Sequence, residues 1–339
     1  MMDLSFSTAA ENMQKIEDDR KDLMGYSHAV YQAMLALDRA GFHSRVADMA
    51  APVGISMGFP TDYRFFNHQY KIGYTAWEST ELKDRWLEHM LYVDELWATS
   101  SWTAEVFKKT TGRDDIHVFP HGIDESWRPL RRSENGIFRF LHIGEPQVRK
   151  NGQIVVDAFA KLFGNNPDYQ LILKCTNINT TRVFHEDGSI AGGPDGKYKN
   201  IKLITQPISH DNMVDLFHKS NALVYPTTGE GFGFIPLQAL ATGMPVASTT
   251  PWAEYSKFIN VPVDCQLGPS EYQNIHPGNV FNVTQDAVEK SMIDLVDNYE
   301  KYNKQAYKNS FHVHIEYDWD RVTKPTVERL KKIFKTRGF

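Results

Sequence analysis

The clearest pattern along the chain is an alternation of short apolar runs with one-sided helical stretches, sharpest in the second half. "IFRFLHIG" (137–144) is an apolar run stopped by glycine, and the amphipathic stretch "QIVVDAFAKLF" follows it. The runs "YQLILKC", "IKLIT" and "ALVYP" come next. Between the last two, "HDNMVDLFHKS" sets Met213, Leu216 and Phe217 on one helical face. Buried strands separated by one-sided helices predict a parallel sheet covered on both faces, and such sheets hold ligands at the carboxyl ends of their strands. Gly144, Thr227 to Gly233 and the turn after Val246 are therefore expected along one edge. The first half repeats the pattern more weakly. "MDLSFS", "SRVADM", "KIGYTAW", "ELWATS" and "IHVFP" read as strands, and "YSHAVYQAMLALDRAG" as a helix ended by Gly41. The link "PHGIDESWRPL" (120–130) holds a turn signal and two prolines, and the alternation restarts after it. The expected division is a first α/β domain over 1–127, a second over 128–315, and a terminal helix over 316–339 packed back on the first. Residues 175–200, polar and glycine-rich, read as a mobile loop.

Composition narrows the class. With 339 residues, 41% of them apolar, the chain can build two sizeable cores. No apolar run approaches the length of a membrane span, and the opening residues lack the basic start and apolar stretch of a signal peptide. Two cysteines, Cys175 and Cys265, give neither a disulfide framework nor a metal cluster. A cytoplasmic location is the expectation. The net charge of −5 does not suggest a general polyanion binder.

Chemistry concentrates in "TTGEGFGFIPLQALATGMPV" (227–246). A strand ends near Pro226, and a helix is expected from about Pro236 to Thr242, capped by Gly243. The backbone N–H groups ahead of that helix then form a positive end suited to anions or sugar hydroxyls, and glycine lets a ligand approach the backbone closely. Glu230 is an acceptor for hydroxyls; a tight turn with a solvated carboxylate is the plain alternative. "HIGEPQVRKNG" should reach the same edge, where the adjacent cations Arg149 and Lys150 suit a diphosphate.

Together these segments resemble the retaining glycosyltransferases of family 4, which have the GT-B fold: two Rossmann-like domains with parallel sheets facing a central cleft. The strand–Gly…Arg-Lys-x-Gly segment is matched by Gly144, Arg149, Lys150 and Gly152. "PHGID" resembles the family's interdomain segment, and Glu230-Gly231-Phe232-Gly233 its Glu-Gly-Phe-Gly-x4-Glu motif, with Gln238 in the last place. Ala241, Gly243, Pro245 and Val246 fit the run that follows. The resemblance covers roughly residues 70–320 in order. It implies catalytic roles for Arg149, Lys150 and Glu230, the two cations neutralising a donor diphosphate and Glu230 holding sugar hydroxyls. It further implies donor contacts from Tyr26, Ser27, Gly144, Gly231, Phe232, Gly233 and Phe234. Pro207 and Ile208 fall where the family reads the base, and Gln238 where it meets the ribose. Trp77 and Glu78 are the acceptor-side candidates. Two departures stand out. An amide at Gln238 accepts one hydrogen bond and donates one where a carboxylate accepts from both ribose hydroxyls, and Glu145 stands where the family has an arginine.

The reaction so implied moves a sugar from a UDP- or GDP-linked donor to a hydroxyl acceptor with retention, without a cofactor or an essential metal. His312 and His314 share a face if that segment is a strand, but two histidines without a third ligand read as structural. The acceptor is left open between a glycan, glycoconjugate or small glycoside and a nucleic acid or protein. Residues 1–128 carry 13 Lys and Arg against 20 Asp and Glu, which disfavours a duplex-DNA surface on that half. The tail 321–339, with seven basic residues and one acid, leaves a peripheral membrane contact open. A non-catalytic nucleotide-sugar sensor is the third reading.

Overall fold

Two six-stranded parallel sheets, one in each half, organise the chain. The computed structural model describes residues 2–8, 16, 25–65, 67–133, 136–145, 147–175 and 198–339. The first sheet comprises β1 (Met2–Ser7), β2 (Phe42–Val46), β3 (Val53–Met57), β4 (Tyr70–Thr75), β5 (Glu95–Ala98) and β6 (Ile116–Val118), in the order β2-β1-β3-β4-β5-β6. The second comprises β7 (Phe138–Ile143), β8 (Tyr169–Lys174), β9 (Ile201–Ile204), β10 (Ala222–Tyr225), β11 (Val246–Ser248) and β12 (Val261–Pro262), in the order β12-β11-β10-β7-β8-β9. A hairpin, β13 (Gln266–Pro269) with β14 (Asn279–Asn282), stands apart from both sheets.

Helices close the faces that the apolar strands leave open. In the first half these are α1 (Tyr26–Arg39), α2 (Asp84–Met90) and α3 (Ser101–Thr111); in the second, α4 (Gly152–Phe163), α5 (His210–His218), α6 (Phe234–Ala241), α7 (Gln285–Asp297) and α8 (Tyr299–Glu316). Helix α1 buries Ala29, Val30, Ala33, Ala36 and Leu37 on one side, a stripe of small residues that brings its axis close to the sheet. Helix α4 buries Val155, Val156 and Phe159 in the same way. The last helix, α9 (Trp319–Arg337), sends Trp319, Leu330, Ile333 and Phe334 into the core around β1, β3 and α1. Arg329 also reaches the buried Glu95 carboxylate on β5, with Nη2 2.5 Å from Oε1.

Four details differ from the sequence reading. Strand β2 starts at Phe42, two residues before the predicted "SRVADM", because Phe42 joins the buried cluster. Strand β3, "VGISM", was hidden by the prolines and glycines around it, and all five of its residues are buried. Helix α6 starts at Phe234, not at Pro236. A proline in the first turn costs nothing there, since its missing N–H would have had no helical partner. His312 and His314 sit on α8, where a spacing of two turns them to different sides, and His314 Nε2 lies 3.0 Å from the Trp127 carbonyl. The glycine-rich stretch 176–197 and the charged segment around Asp18 and Asp19 lie outside the described residues.

The edge predicted to gather the chemistry does so. Strands β7 and β11 flank β10 in parallel, so Gly144, Thr227 and Thr249 emerge from adjacent carboxyl ends. That edge faces the carboxyl ends of the first sheet, where Ala76 to Ser79 follow β4.

Candidate active site

Hydrogen bonds from distant segments of the same half fix the loop after β10. Thr249 Oγ1 donates to the Thr227 carbonyl at 2.7 Å, and Thr228 N donates to the Arg149 carbonyl at 2.9 Å. Asn151, in the left-handed region at φ 55, donates from Nδ2 to the Pro226 carbonyl at 2.7 Å. These bonds tie the β10 loop to the turn Val148–Lys150 that precedes α4. The Arg-Lys pair is thereby held against the glycine-flanked acid.

Glu230 is the centre of the arrangement. Its Oε1 receives Lys150 Nζ at 2.5 Å, Arg149 Nη1 at 2.7 Å, Thr227 Oγ1 at 2.9 Å and Tyr225 OH at 3.0 Å. All four donors converge on one oxygen, and among the described residues none donates to Oε2. The carboxylate side chain is 9% exposed. Burial raises its pKa, but Arg149, Lys150 and the hydrogen bonds outweigh that and hold it at about 2. Burial lowers the Lys150 pKa, opposed by Glu230, while the two carboxylates Glu230 and Glu78 overcome burial and raise that of Arg149. Glu78, from the first half, lies 3.5 Å from Arg149 Nη2, and burial keeps its own pKa raised. One guanidinium therefore bridges carboxylates from both halves.

Close backbone approach brings the halves together here. A Cβ on Gly229 would strike the Glu78 carbonyl oxygen, and one on Gly231 would strike Ala76. Thr99 Oγ1 donates to the Gly231 carbonyl at 2.8 Å, and Thr103 Oγ1 does so at 3.2 Å. The glycines thus admit the other half of the molecule where the sequence suggested a ligand. Gly233, at φ +81, does similar work inside its own half: a Cβ there would lie 2.5 Å from Trp252 and from the Tyr255 hydroxyl.

The other predicted residues are placed around this centre. Gly144 follows β7 and abuts Lys150, whose Cβ would be 3.1 Å from an added Cβ. Phe232 is buried, and Phe234, at the first position of α6, stacks on His121 with centroids 4.5 Å apart. Gln238 is 7% exposed, and its Oε1 is buried without a hydrogen-bond partner. Tyr26 and Ser27 open α1; burial and the nearby Glu78 raise the Tyr26 pKa to about 12, so its hydroxyl is a donor at neutral pH. Pro207 is exposed and Ile208 half-buried ahead of α5, away from Glu230 in the chain but on the same sheet edge. Trp77 is 2% exposed, packs on Trp86 at 4.4 Å and donates Nε1 to the Glu81 carbonyl. Its contribution is to shape the wall that carries Glu78.

Some participants carried no sequence signal. Tyr225, which resembled an ordinary strand-end residue, completes the Glu230 cluster with Thr227, the first residue of the stretch expected along this edge. His276 approaches Glu78 at 3.8 Å and Trp77 at 5.4 Å between centroids, and it comes from the connection within the β13–β14 hairpin. That hairpin also joins the halves, since Asn279 N donates to Thr80 Oγ1 at 2.8 Å and Thr80 N to the Asn279 carbonyl at 3.0 Å. Among the described residues no helix is long and apolar enough to cross a membrane.

No family model matches the chain. A 154-residue match to the D-inositol 3-phosphate glycosyltransferase of Arthrobacter sp. (strain FB24) is 27% identical, covering 40% of this chain and 34% of that protein. The lipopolysaccharide core biosynthesis mannosyltransferase LpsB of Rhizobium meliloti (strain 1021) is 27% identical over 106 residues, 31% of this chain and 29% of its own. The match thus spans about a third of the length of these curated relatives. Among solved structures, the sucrose-phosphate synthase of Thermosynechococcus elongatus superposes with a TM-score of 0.68 at 12% identity, covering 99% of this chain and 100% of that one. A glycosyltransferase from Rickettsia africae gives 0.59 at 12% identity, covering 98% of each chain. With two parallel six-stranded sheets meeting edge to edge across Glu78, Arg149 and Glu230, the chain has the GT-B fold.

Proposed function

We propose that the chain is a glycosyltransferase that moves a sugar from a UDP- or GDP-linked donor to a hydroxyl-bearing acceptor, retaining the anomeric configuration. The observation that carries this reading is Glu230. It is a buried, ionised carboxylate with one oxygen held by two cations, while among the described residues none donates to the other. The second oxygen is available to a sugar hydroxyl, and the cations beside it are available to a diphosphate. Names of partial relatives and the fold of solved glycosyltransferases support the same reading.

In this proposal Arg149 and Lys150 take the charge that builds on the diphosphate as the anomeric C–O bond breaks. The acceptor oxygen attacks the same face, forming the new C–O bond, and its proton passes to the departing phosphate oxygen. Backbone N–H groups of Phe232, Gly233 and Phe234 at the start of α6, with those of Tyr26 and Ser27 at the start of α1, add donors to the phosphates. Gln238 meets the ribose, and Pro207 and Ile208 flank the base. Glu78, with Trp77 behind it, faces the acceptor. Positive charge comes from side chains, so activity is expected to survive a chelator.

Thermal shifts with UDP, GDP, ADP and their sugar conjugates test the donor site. A ligand at a hundred times its Kd adds about 2.7 kcal/mol of stability. Transfer or donor hydrolysis, measured with and without a chelator, tests the chemistry; Lys150→Ala and Glu230→Ala should each lower kcat about 10²–10³-fold. Binding without turnover would replace the transferase with a nucleotide-sugar sensor. No response to any nucleotide would end both readings.

A further inference from the structure

Arg149 stands between two carboxylates, and only one of them is satisfied. On one side its Nη1 donates to Glu230 Oε1, which receives further donors from Lys150, Thr227 and Tyr225. On the other side Nη2 lies 3.5 Å from Glu78 Oε1, and His276 Nδ1 lies 3.8 Å from Glu78 Oε2. Neither approach is a hydrogen bond, and among the described residues none reaches either oxygen of Glu78, whose side chain is 18% exposed. A carboxylate so placed has lost most of its water without gaining donors, which is costly until a ligand supplies them.

His276 has the complementary deficit. Its Nδ1 is buried and has no hydrogen-bond partner. Its ring packs on Trp77 with centroids 5.4 Å apart. Burial above all, with Arg149 and Lys83 adding to it, holds its pKa at about 4, so the ring is neutral at pH 7. The polar atom that Nδ1 approaches is a carboxylate oxygen, which places the one ring proton on Nδ1. The gap between them is too wide for a direct bond. It fits a hydroxyl oxygen about 2.8 Å from each, donating to Oε2 and accepting from Nδ1.

The two oxygens of Glu78 are side by side, so the donors that satisfy them must be side by side as well. Two neighbouring hydroxyls on one ligand do this, whereas a lone hydroxyl leaves one oxygen bare. We infer that Glu78 and His276 form the acceptor seat, and that the acceptor is a sugar or cyclic polyol presenting a vicinal diol. A serine, a threonine or the single hydroxyl of a modified base does not meet that requirement. Position separates this seat from the donor: it lies across Arg149 from Glu230, the carboxylate assigned to the donor sugar, and Glu78 belongs to the first half. His276 belongs to the second half, on the hairpin whose Asn279 bonds to Thr80. The seat is therefore complete only with the halves together. Naming it the acceptor seat rests on the transferase reading; diol binding does not.

Saturation-transfer NMR on the full chain, with UDP or GDP present, tests it. The probes are the methyl glycopyranosides of glucose, galactose and mannose, myo-inositol, and N-acetylserinamide as the single-hydroxyl control. Wild type should bind at least one of the vicinal diols, and N-acetylserinamide at least tenfold more weakly. Glu78→Gln and His276→Phe should each weaken that diol at least tenfold, while the melting temperature and the nucleotide thermal shift hold. UDP-glucose and GDP-mannose should leave the diol bound, since displacement by either would place it in the donor-sugar site. The inference is overturned by that displacement, by absent diol binding in wild type, by equal binding of N-acetylserinamide, or by unchanged affinity in both variants. Diol binding that depends on Glu78 in a chain that ignores every nucleotide would end the transferase reading and leave the diol seat standing.

Discussion

At the scale of single residues, the site is an electrostatic arrangement that separates two acid-sensitive steps. His121 and His142 are buried, and burial holds their pKa values at about 3 and about 4, below the ordinary 6.5. Both are neutral in the fold, and the unfolded chain binds their protons first. Their contribution is complete above pH 6.5 and is lost as pH falls through about 4 for His142 and about 3 for His121. Glu230 behaves differently. Its pKa of about 2 lies below the ordinary 4.5, so its contribution is complete above 4.5 and is lost between there and about 2. Denaturant midpoints recorded from pH 7 to 3 should therefore fall in two overlapping stages, and His142→Asn should make the upper one shallower without removing it, since burial also holds His28, His117, His121 and His276 low. A single loss confined below pH 4.5 would show that the histidines do not carry the upper stage. Removing Glu230 leaves Arg149 and Lys150 buried beside the single carboxylate of Glu78. Glu230→Ala should cost about 3–5 kcal/mol at pH 7, and Glu230→Gln less, because an amide oxygen still accepts from Thr227 and Tyr225.

At the scale of elements, what was legible in the sequence was the apolar alternation and the glycine-bounded motif. The strands of the second sheet, helix α4 and the pairing of Arg149 and Lys150 with the Glu230 loop all follow from residues close together in the chain. The misses share a physical cause, which is that tertiary packing overrode local signals. Strand β3 looked like loop because its few apolar residues sit among glycines and prolines, yet both its faces are covered. The β13–β14 hairpin buries only Val280 among its strand residues and carries no two-period pattern, although its connection supplies His276. Helix α6 shows the same tension at its start. Gly233 is required there by its φ of +81 and by the Trp252 and Tyr255 rings packed on it. Gly233→Ala should destabilise by about 1–3 kcal/mol from the backbone conformation alone, and more if the rings must move. Chemical denaturation checks this, and an unchanged midpoint would mean that the turn relaxes freely.

At the scale of the whole molecule, the proposed reaction requires a donor to reach a cleft whose walls touch. Gly229 and Gly231 meet Glu78 and Ala76 with no room for a methyl group, Gly278 meets Thr80 and Glu81, and Arg149 joins a carboxylate from each half. Helix α9 follows directly on α8 and packs on the first core, so the halves are tied at the chain's end as well as at the link near Trp127. These contacts combine close backbone approach and an ion-pair bridge with aromatic packing, His121 on Phe234 and Trp102 against Phe281 among them. On the proposed reading, closure is needed to set Glu78 and Arg149 against the reacting groups, while nucleotide binding rests mainly on the second half. Gly229→Ala separates these roles, because the obstructing atom is a backbone carbonyl that cannot rotate aside. The variant should keep its nucleotide thermal shift within a few-fold in affinity. It should show a larger radius of gyration by solution scattering, and transfer should fall at least tenfold. Gly58→Ala, where an added Cβ meets nothing within 4 Å, is the control and should match wild type in all three. If Gly229→Ala scatters like wild type and transfers normally, the glycine contact is packing only, and closure must be sought in the Arg149 bridge. If it loses nucleotide binding in proportion to transfer, both halves build the donor site together.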